Sequence, residues 1–463
     1  MPVKSGSRAM SLLTSLFFLW GFMTVLNDVL IPHLKVVFEL SYAQSLLVQM
    51  SFFGAYFTGS IIYYLISAWH GDPINRIGYK NGIIIGLVVS ALGSALFFPA
   101  AMLERYGLYL LALYILGLGF TLLQIAANPF VAIIGPSESA SGRLNFTQAF
   151  NSLGTTLGPI IGGYLIFKYF AGADAVKYPY LFFALIMLAL AVLISFSSLP
   201  AYKNDEHIEK GFKVFKFHQL RFGIPAIFFY VGAEVVIGSL LISYFGLENI
   251  AGLNENDAKT YLSLYWGGAM IGRFAGFVAL SDANGRMNKS IKILWSLLGG
   301  FAVVFAINYF FGSLTFSIAW PYLFFLVING LAFIAGRSRP GRTLGIFSIT
   351  TLFLLAVVIA GGGKPAFWSI IAIGLFNSIM WPNIFTLSID GLGKYTSQGS
   401  SLLVMAIVGG ALIPVLQGLL ADALATPGNK DAGLQISFFV PVISYVYLAY
   451  YGFWGSKKSL NAK

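Results

Sequence analysis

The sequence predicts an all-α protein that spans a membrane many times. Of its 463 residues, 58% are hydrophobic and only 10% are charged, whereas a soluble domain carries about 25% charged residues. Its apolar runs are about 20 residues long, which is the length of a membrane-crossing helix rather than of a barrel strand. A helical hairpin pattern also occurs once in each half of the chain, which is typical of proteins built from two related helical bundles.

Taken in order, the apolar runs predict fourteen spans. They lie at 11–37, 46–69, 81–101, 108–134, 144–168, 179–199, 222–246, 258–281, 291–312, 317–336, 343–361, 366–389, 400–424 and 434–454. The charged stretch 201–221 interrupts them and is predicted to be a solvated cytoplasmic linker. We therefore expect a six-helix bundle over 1–200 and a second bundle over 222–463.

The two predicted bundles share a polar residue at one fixed distance from a proline. Gln124 lies five residues before Pro129, and Asn377 lies five residues before Pro382. Two copies of one hairpin in parallel orientation predict two pseudo-symmetric bundles.

The second bundle is longer than the first. The separation from Gly272 to Pro382 exceeds that from Gly59 to Pro129 by about 40 residues, and one membrane crossing needs about 20. We therefore expect one extra pair of transmembrane helices, inserted within about 285–340. An even number of added crossings leaves the orientation of later spans unchanged.

The distribution of charge supports this topology. Most of the 28 lysines and arginines fall on the side of the N-terminus, which the positive-inside rule assigns to the cytoplasm. Arg337, Arg339 and Arg342 fall on that side only if the extra pair is present. Both termini are then cytoplasmic, and the net charge of +11 reflects membrane topology rather than nucleic-acid binding.

Seven motifs together carry a family resemblance. They are LNDVLIP at 26–32, QIAANPF at 124–130, RLNFTQAFNSLGTTLGP at 143–159, YVGAEV at 230–235, YWGGAMIGRF at 265–274, GLFNSIMWPNIF at 374–385 and YTSQGSSLLVMAIVGGALIP at 395–414. The chain resembles the fucose–galactose–glucose symporter family of the major facilitator superfamily, of the bacterial glucose/galactose transporter type. The resemblance implies a major facilitator fold in a bacterial inner membrane. It also implies import of a small sugar, driven by co-transported Na+ or H+. We expect a monomer that works by alternating access.

The resemblance also bears on individual residues. In the fucose–proton member, the acid matching Asp28 looks like the coupling residue, and the amide matching Gln148 contacts sugar. A glutamate stands there at the position of Gln124, and a glutamine at that of Glu234. The neutral Gln124 favours Na+, whose site can be built from one acid and neutral oxygens.

Two acids lie deep within predicted spans. Asp28 could bind H+, or hold Na+ together with amide oxygens from Asn27 or Gln124; alternatively, it packs between helices with hydroxyl partners. Glu234 could accept hydrogen bonds from sugar hydroxyls or join the coupling site, or it could be a buried partner of Arg273. We expect no other metal site.

Amides form the predicted substrate-binding set. Amides both donate and accept hydrogen bonds, as sugar hydroxyls do, and they cost less to desolvate than charges. Hydrogen bonding between helices is the alternative role for each. The set is Gln124, Asn128, Gln148, Asn151 and Asn377, and Asn145 shares the helical spacing of Gln148 and Asn151.

Trp266 and Trp381 could stack on the apolar face of a sugar, or they could face lipid or the protein core. The sequence has no phosphate-binding loop, no nucleophile paired with a base and no histidines at metal-binding spacing. We therefore expect no enzyme, no catalytic residue and no bound cofactor. The alternatives are a symporter for another neutral sugar, such as fucose or an N-acetylhexosamine, and a membrane receptor or enzyme that does not transport.

Overall fold

In the computed structural model, the described part of the chain is helical and contains no β-strand. The described residues are 3–39, 47–165, 174–197, 199, 213–253, 255–281, 288–311, 314–424 and 430–457.

Twenty α-helices follow one another in these ranges. They are α1 (Val3–Val37), α2 (Leu47–His70), α3 (Pro73–Ile77), α4 (Tyr79–Ala95), α5 (Phe97–Leu103), α6 (Tyr106–Ile133), α7 (Ala140–Tyr164), α8 (Asp174–Phe196), α9 (His218–Gly246), α10 (Glu255–Leu280), α11 (Lys289–Phe311), α12 (Phe316–Ala319), α13 (Pro321–Gly336), α14 (Pro340–Ala360), α15 (Gly363–Asn377), α16 (Met380–Ile389), α17 (Thr396–Met405), α18 (Gly409–Leu424), α19 (Lys430–Ser437) and α20 (Phe439–Tyr450).

Each of the fourteen predicted apolar runs overlaps one helix or two consecutive helices. Eleven of the described helical segments are long and apolar enough to cross a membrane, and α13 is a shorter apolar helix. The predicted runs over α7 and α10 are not among the eleven, and both helices carry more polar side chains. The count of fourteen crossings therefore stays a prediction. Helix α9, which corresponds to the seventh predicted span, begins at His218, four residues before the predicted start. Residues 201–212 of the predicted linker lie outside the described residues.

The chain divides into two compact units that differ from the two halves of the sequence. Unit 1 comprises Met1–Pro136, Phe150–Phe215 and Gly391–Ile407, and unit 2 comprises Ser137–Ala149, Lys216–Asp390 and Val408–Lys463. Helix α7 therefore changes unit between Ala149 and Phe150. Helix α17 comes from the C-terminal half but belongs to unit 1.

Unit 1 is organised around helices α4 and α6. Helix α4 packs along α6 and α8, α2 packs along α6, and α17 packs against both α2 and α6. The contact between α4 and α6 is too close for a side chain at Gly93, because a Cβ there would lie 2.3 Å from the backbone nitrogen of Leu116. Glycine at such a crossing lets two helices approach in a membrane.

Unit 2 is organised around helices α9, α10 and α15. Helix α9 contacts α16, α18 and α20, and α10 contacts α11 and α15. Helix α14 packs along α15 and α20, as α4 packs along α6 and α8 in unit 1. A Cβ at Gly374 would lie 2.0 Å from the carbonyl oxygen of Tyr265, so α15 approaches the backbone of α10 directly.

Candidate functional site

Helix α15 ends and α16 begins at a break next to Asn377. Pro382 has no N–H to donate to the carbonyl four residues earlier, which belongs to Ser378. The guanidinium of Arg273 satisfies that carbonyl, with Nε donating over 3.0 Å. The hydroxyl of Tyr230 donates to the neighbouring carbonyl of Asn377 over 3.1 Å. Both carbonyls at the break are therefore capped by side chains of other helices. In unit 1 the matching Pro129 lies inside an uninterrupted α6.

The side chain of Asn377 is held by two tyrosines. Its Nδ2 donates to the hydroxyl of Tyr265 over 3.2 Å, and its Oδ1 accepts from the hydroxyl of Tyr445 over 2.6 Å. The Tyr265 hydroxyl in turn donates to the carbonyl of Glu234 over 3.0 Å. Asn377, Tyr265 and Tyr445 are all buried. We call Tyr230, Glu234, Tyr265, Asn377 and Tyr445 the unit 2 cluster.

Glu234 is the one half-buried member of this cluster; the other four are buried. Its carboxyl group lies near the hydroxyl of Tyr230, and Arg273 is close enough to interact with it electrostatically. Arg273 also donates through Nη1 to the carbonyl of Gln148 over 3.4 Å. The arrangement is compatible with both roles expected for Glu234, as a group that meets substrate and as a partner of Arg273.

The two tryptophans have different surroundings. The ring of Trp266 is 37% exposed, and it lies over Gly238, where a Cβ would be 2.7 Å from Cζ2. Trp381 is buried and stacks on Phe385 with ring centroids 5.0 Å apart. One face of Trp381 is therefore already covered within unit 2, whereas Trp266 retains open ring surface.

A second polar cluster lies in unit 1 around Tyr56. The indole Nε1 of Trp20 donates to the Tyr56 hydroxyl over 3.3 Å, and the side chains of Gln124 and Thr24 lie close to that hydroxyl. Gln124 is only 6% exposed. We call Trp20, Thr24, Tyr56 and Gln124 the unit 1 cluster.

Asn27 lies one helical turn beyond Thr24 on α1. It is 1% exposed, and neither its amide nitrogen nor its amide oxygen has a hydrogen-bond partner. A buried amide without partners is costly. The side chain of Asp28 lies outside the described residues.

Asn128 is fully buried, and its Nδ2 donates to the carbonyl of Gln124 over 3.1 Å.

The amides of α7 are divided between the units. In unit 2, Asn145 donates to Oδ1 of Asn383 over 3.2 Å, and Gln148 is buried. In unit 1, Asn151 donates to the carbonyl of Phe17 over 3.0 Å. Asn145 and Asn151 therefore form hydrogen bonds between helices, which is the alternative role that the sequence left open.

Sequence reasoning missed the tyrosines of both clusters. Tyr56, Tyr230, Tyr265 and Tyr445 carry the hydroxyls that connect the predicted amides and acid. Two of them lie inside the quoted motifs YVGAEV and YWGGAMIGRF, next to residues that were predicted. Their spacing alone gave no signal, since the sequence contains 24 tyrosines.

The chemistry of both clusters is mainly hydrogen bonding by uncharged groups, and Glu234 is the one acidic side chain among them. Amides, phenols and an indole can donate to or accept from a polar uncharged ligand. No group of three or more histidine, cysteine or acidic residues that could hold a metal ion occurs in the part of the chain that the structure describes. The clusters are therefore suited to binding an uncharged polar solute.

Helices long and apolar enough to cross a membrane, with buried polar clusters among them, are typical of a membrane transporter. Residues 12–338 match the family model described as Major Facilitator Superfamily, and the chain belongs to that superfamily.

Three relatives that cover most of the chain are named as sugar transporters. The chain is 41% identical to the "Glucose/galactose transporter" of Brucella abortus, over 98% of this chain and 95% of the relative. It is 38% identical to the "Putative glucose/galactose transporter" of Helicobacter pylori, over the full length of both. It is 29% identical to the "L-fucose-proton symporter" of Escherichia coli, over 89% of this chain and 86% of the relative.

Solved structures agree with these relatives. A crystal structure of the fucose symporter in the outward conformation is similar over 97% of this chain and 98% of that chain, with a TM-score of 0.73 and 27% identity. The family resemblance predicted from the motifs is confirmed, and so is the expectation that the protein is a transporter rather than an enzyme.

Proposed function

We propose that the protein is a cation-coupled symporter that imports glucose- or galactose-type monosaccharides by alternating access. The observation that carries this proposal is the 41% identity to a glucose/galactose transporter along nearly the whole of both chains. The chemistry of the two clusters supports it, because a sugar is uncharged and presents hydroxyls that donate and accept.

The proposed sugar contacts are the side chains that the sequence predicts to bind substrate. In unit 1 they are Gln124 and Asn128 on α6 and Asn151 on α7. In unit 2 they are Glu234, Gln148, Asn377, Trp266 and Trp381. Among these, Asn151 and Glu234 are half-buried and Trp266 is 37% exposed, whereas the others are buried.

The proposed driving cation is H+ or Na+, bound at Asp28. The fucose relatives are named proton symporters, which supports H+. The neutral Gln124 and the unpartnered amide of Asn27 support Na+, because an amide oxygen is a ligand for a hard cation.

An uptake assay tests this function. Purified protein in proteoliposomes is given an inward Na+ gradient at equal pH, or an inward H+ gradient without Na+, and labelled glucose is measured inside. We expect accumulation with one gradient, competed by galactose. Competition by fucose or an N-acetylhexosamine alone would assign another neutral sugar. No accumulation and no sugar exchange under either gradient would refute the proposal.

The role of Asp28 is tested by replacing it with asparagine. Asp28→Asn has the size of the acid but cannot change charge, so the carrier should still exchange sugar for sugar while losing accumulation against a gradient. Glu234→Gln makes the equivalent replacement of an acid by an amide of the same size in unit 2. Accumulation by Asp28→Asn equal to that of the parent would assign coupling elsewhere, with Glu234 as the next candidate.

We also propose that α11 and α13 form the extra helix pair within about 285–340. Helix α14 packs against α15 and α20 as α4 packs against α6 and α8, so α14 corresponds to the third span of the first bundle. Helices α11 and α13 then have no counterpart in unit 1. This assignment gives fourteen crossings with both termini in the cytoplasm.

A further inference from the structure

We propose that Tyr265 and Tyr445 are positioning residues that fix the Asn377 amide in one orientation, so that a substrate hydroxyl meets a defined donor and a defined acceptor. This inference rests on the proposed sugar transport, and it adds residues that determine specificity. It is carried by the directions of the hydrogen bonds in unit 2.

The directions begin at a group that can only accept. The backbone carbonyl of Glu234 takes the single hydroxyl proton of Tyr265, over 3.0 Å. The oxygen of Tyr265 can therefore only accept from Asn377, which requires the NH2 group of the amide to face it, over 3.2 Å. An amide turned by 180° would place two acceptor oxygens against each other.

The other end of the amide is fixed by Tyr445. With the NH2 group towards Tyr265, Oδ1 of Asn377 faces the Tyr445 hydroxyl and accepts its proton over 2.6 Å. Tyr230 removes the remaining local competition, because its hydroxyl satisfies the backbone carbonyl of Asn377 over 3.1 Å. All three tyrosines are fully buried, so water does not compete for the hydrogen bonds of their hydroxyl groups.

This arrangement leaves the amide half used. An asparagine side chain has two N–H donors and two acceptor lone pairs, and the tyrosines take one of each. One N–H and one lone pair remain on Asn377, in fixed directions. A sugar hydroxyl can donate to one and accept from the other, and a sugar lacking the matching hydroxyl would leave a buried polar group without a partner. A site of this kind discriminates strongly between substrates with and without one hydroxyl.

The experiment measures sugar binding by purified, folded protein with glucose and a series of single-deoxy glucoses. The parent should bind one deoxy sugar much more weakly than glucose, and Asn377→Ala should lose that particular difference. Tyr265→Phe and Tyr445→Phe should each weaken glucose binding about fivefold, which is the order of one neutral hydrogen bond, and should reduce the same difference.

A double-mutant cycle separates positioning from general stability. In the Asn377→Ala background, Tyr265→Phe should have no further effect on glucose affinity, because it acts through the amide. Tyr244→Phe is the matched control, since that buried hydroxyl donates to the carbonyl of Val358 over 2.9 Å in the same unit. It should leave the deoxy-sugar profile unchanged. If Tyr265→Phe does not remain folded, Tyr445→Phe tests the same statement.

Three results would overturn the proposal. The first is an equal loss of affinity for every sugar, additive with Asn377→Ala, which would mean that the tyrosines only stabilise the fold. The second is unchanged glucose binding in both tyrosine variants while the parent binds glucose. This result would refute the positioning role of the tyrosines but not the proposed sugar transport. The third is a parent that binds no monosaccharide, which refutes the proposed function as well.

Discussion

A carboxyl group buried outside the membrane-spanning helices should make the stability of unit 1 depend on pH. Asp72 lies between α2 and α4 and is only 3% exposed. Its Oδ1 accepts from the hydroxyl of Tyr63 over 2.5 Å and from the backbone nitrogen of Ile74 over 2.9 Å, while its Oδ2 has no hydrogen-bond partner. Burial raises the pKa of Asp72 to about 6, and the hydrogen bonds from Tyr63 and Ile74 oppose that rise.

The size of the effect follows from the displaced pKa. The ordinary pKa of the carboxyl group is 3.8 and its raised pKa is about 6. A shift of one pKa unit corresponds to about 1.4 kcal/mol. Ionised Asp72 therefore costs the folded state about 3 kcal/mol. Because the folded protein holds this proton more tightly than the unfolded chain, stability falls as pH rises from about 4 to about 6 and stays lower above that.

Replacing Asp72 with asparagine removes the ionisation and keeps an oxygen that can cap α3. The Asp72→Asn protein should match the parent near pH 4 and be more stable by up to about 3 kcal/mol near pH 8. Equilibrium unfolding in detergent across this range measures the difference at each pH. Glu138→Gln, at an exposed glutamate, is the control and should leave the pH dependence unchanged. A difference between Asp72→Asn and the parent that is the same at every pH would refute the reasoning.

Three further predictions concern topology, binding and the helix break. A single cysteine at Arg339, between α13 and α14, should be shielded from impermeant thiol reagents outside the cell; labelling from outside would reject the fourteen-span topology. Gln124→Ala should weaken sugar binding about fivefold by removing one neutral hydrogen bond, and unchanged affinity in a titration of purified protein would exclude Gln124 as a sugar contact. Arg273→Met should lower stability by about 1–3 kcal/mol, because the Ser378 carbonyl loses its donor; a melting temperature equal to that of the parent would show that the break does not need this cap.

Local sequence features located the helices, and they pointed to two amides that lie in the buried polar clusters. Long apolar runs and prolines act locally, so they indicated where helices lie, and their fixed offsets singled out Gln124 and Asn377. The same offsets did not reveal that α6 continues through Pro129 whereas α15 stops before Pro382. At the break after α15, Arg273 supplies a donor from another helix to the Ser378 carbonyl, and a contact of this kind cannot be read from local sequence.

The composition of the clusters could not be read from the sequence, because each is assembled by packing between distant helices. Tyr230, Tyr265 and Tyr445 belong to α9, α10 and α20, and nothing in their own neighbourhoods distinguishes them from other buried tyrosines. The amides of α7 show the same limit. Their spacing placed Asn145, Gln148 and Asn151 along one side of a helix, but helical period does not reveal that the helix changes unit between Ala149 and Phe150.

The exchange of segments between the units has a consequence for how the protein can be divided. The segment Gly391–Ile407, which contains α17, is bound to the N-terminal half by the Asn75 side chain, which donates to the Lys394 carbonyl over 2.7 Å. The Ser397 hydroxyl, which donates to Tyr79 over 3.2 Å, fastens it further. A cut in the linker between α8 and α9 would thus yield two polypeptides, each lacking a piece of its own folding unit. Neither fragment alone should reach the native packing, and co-expression should restore both units at once through mutual complementation.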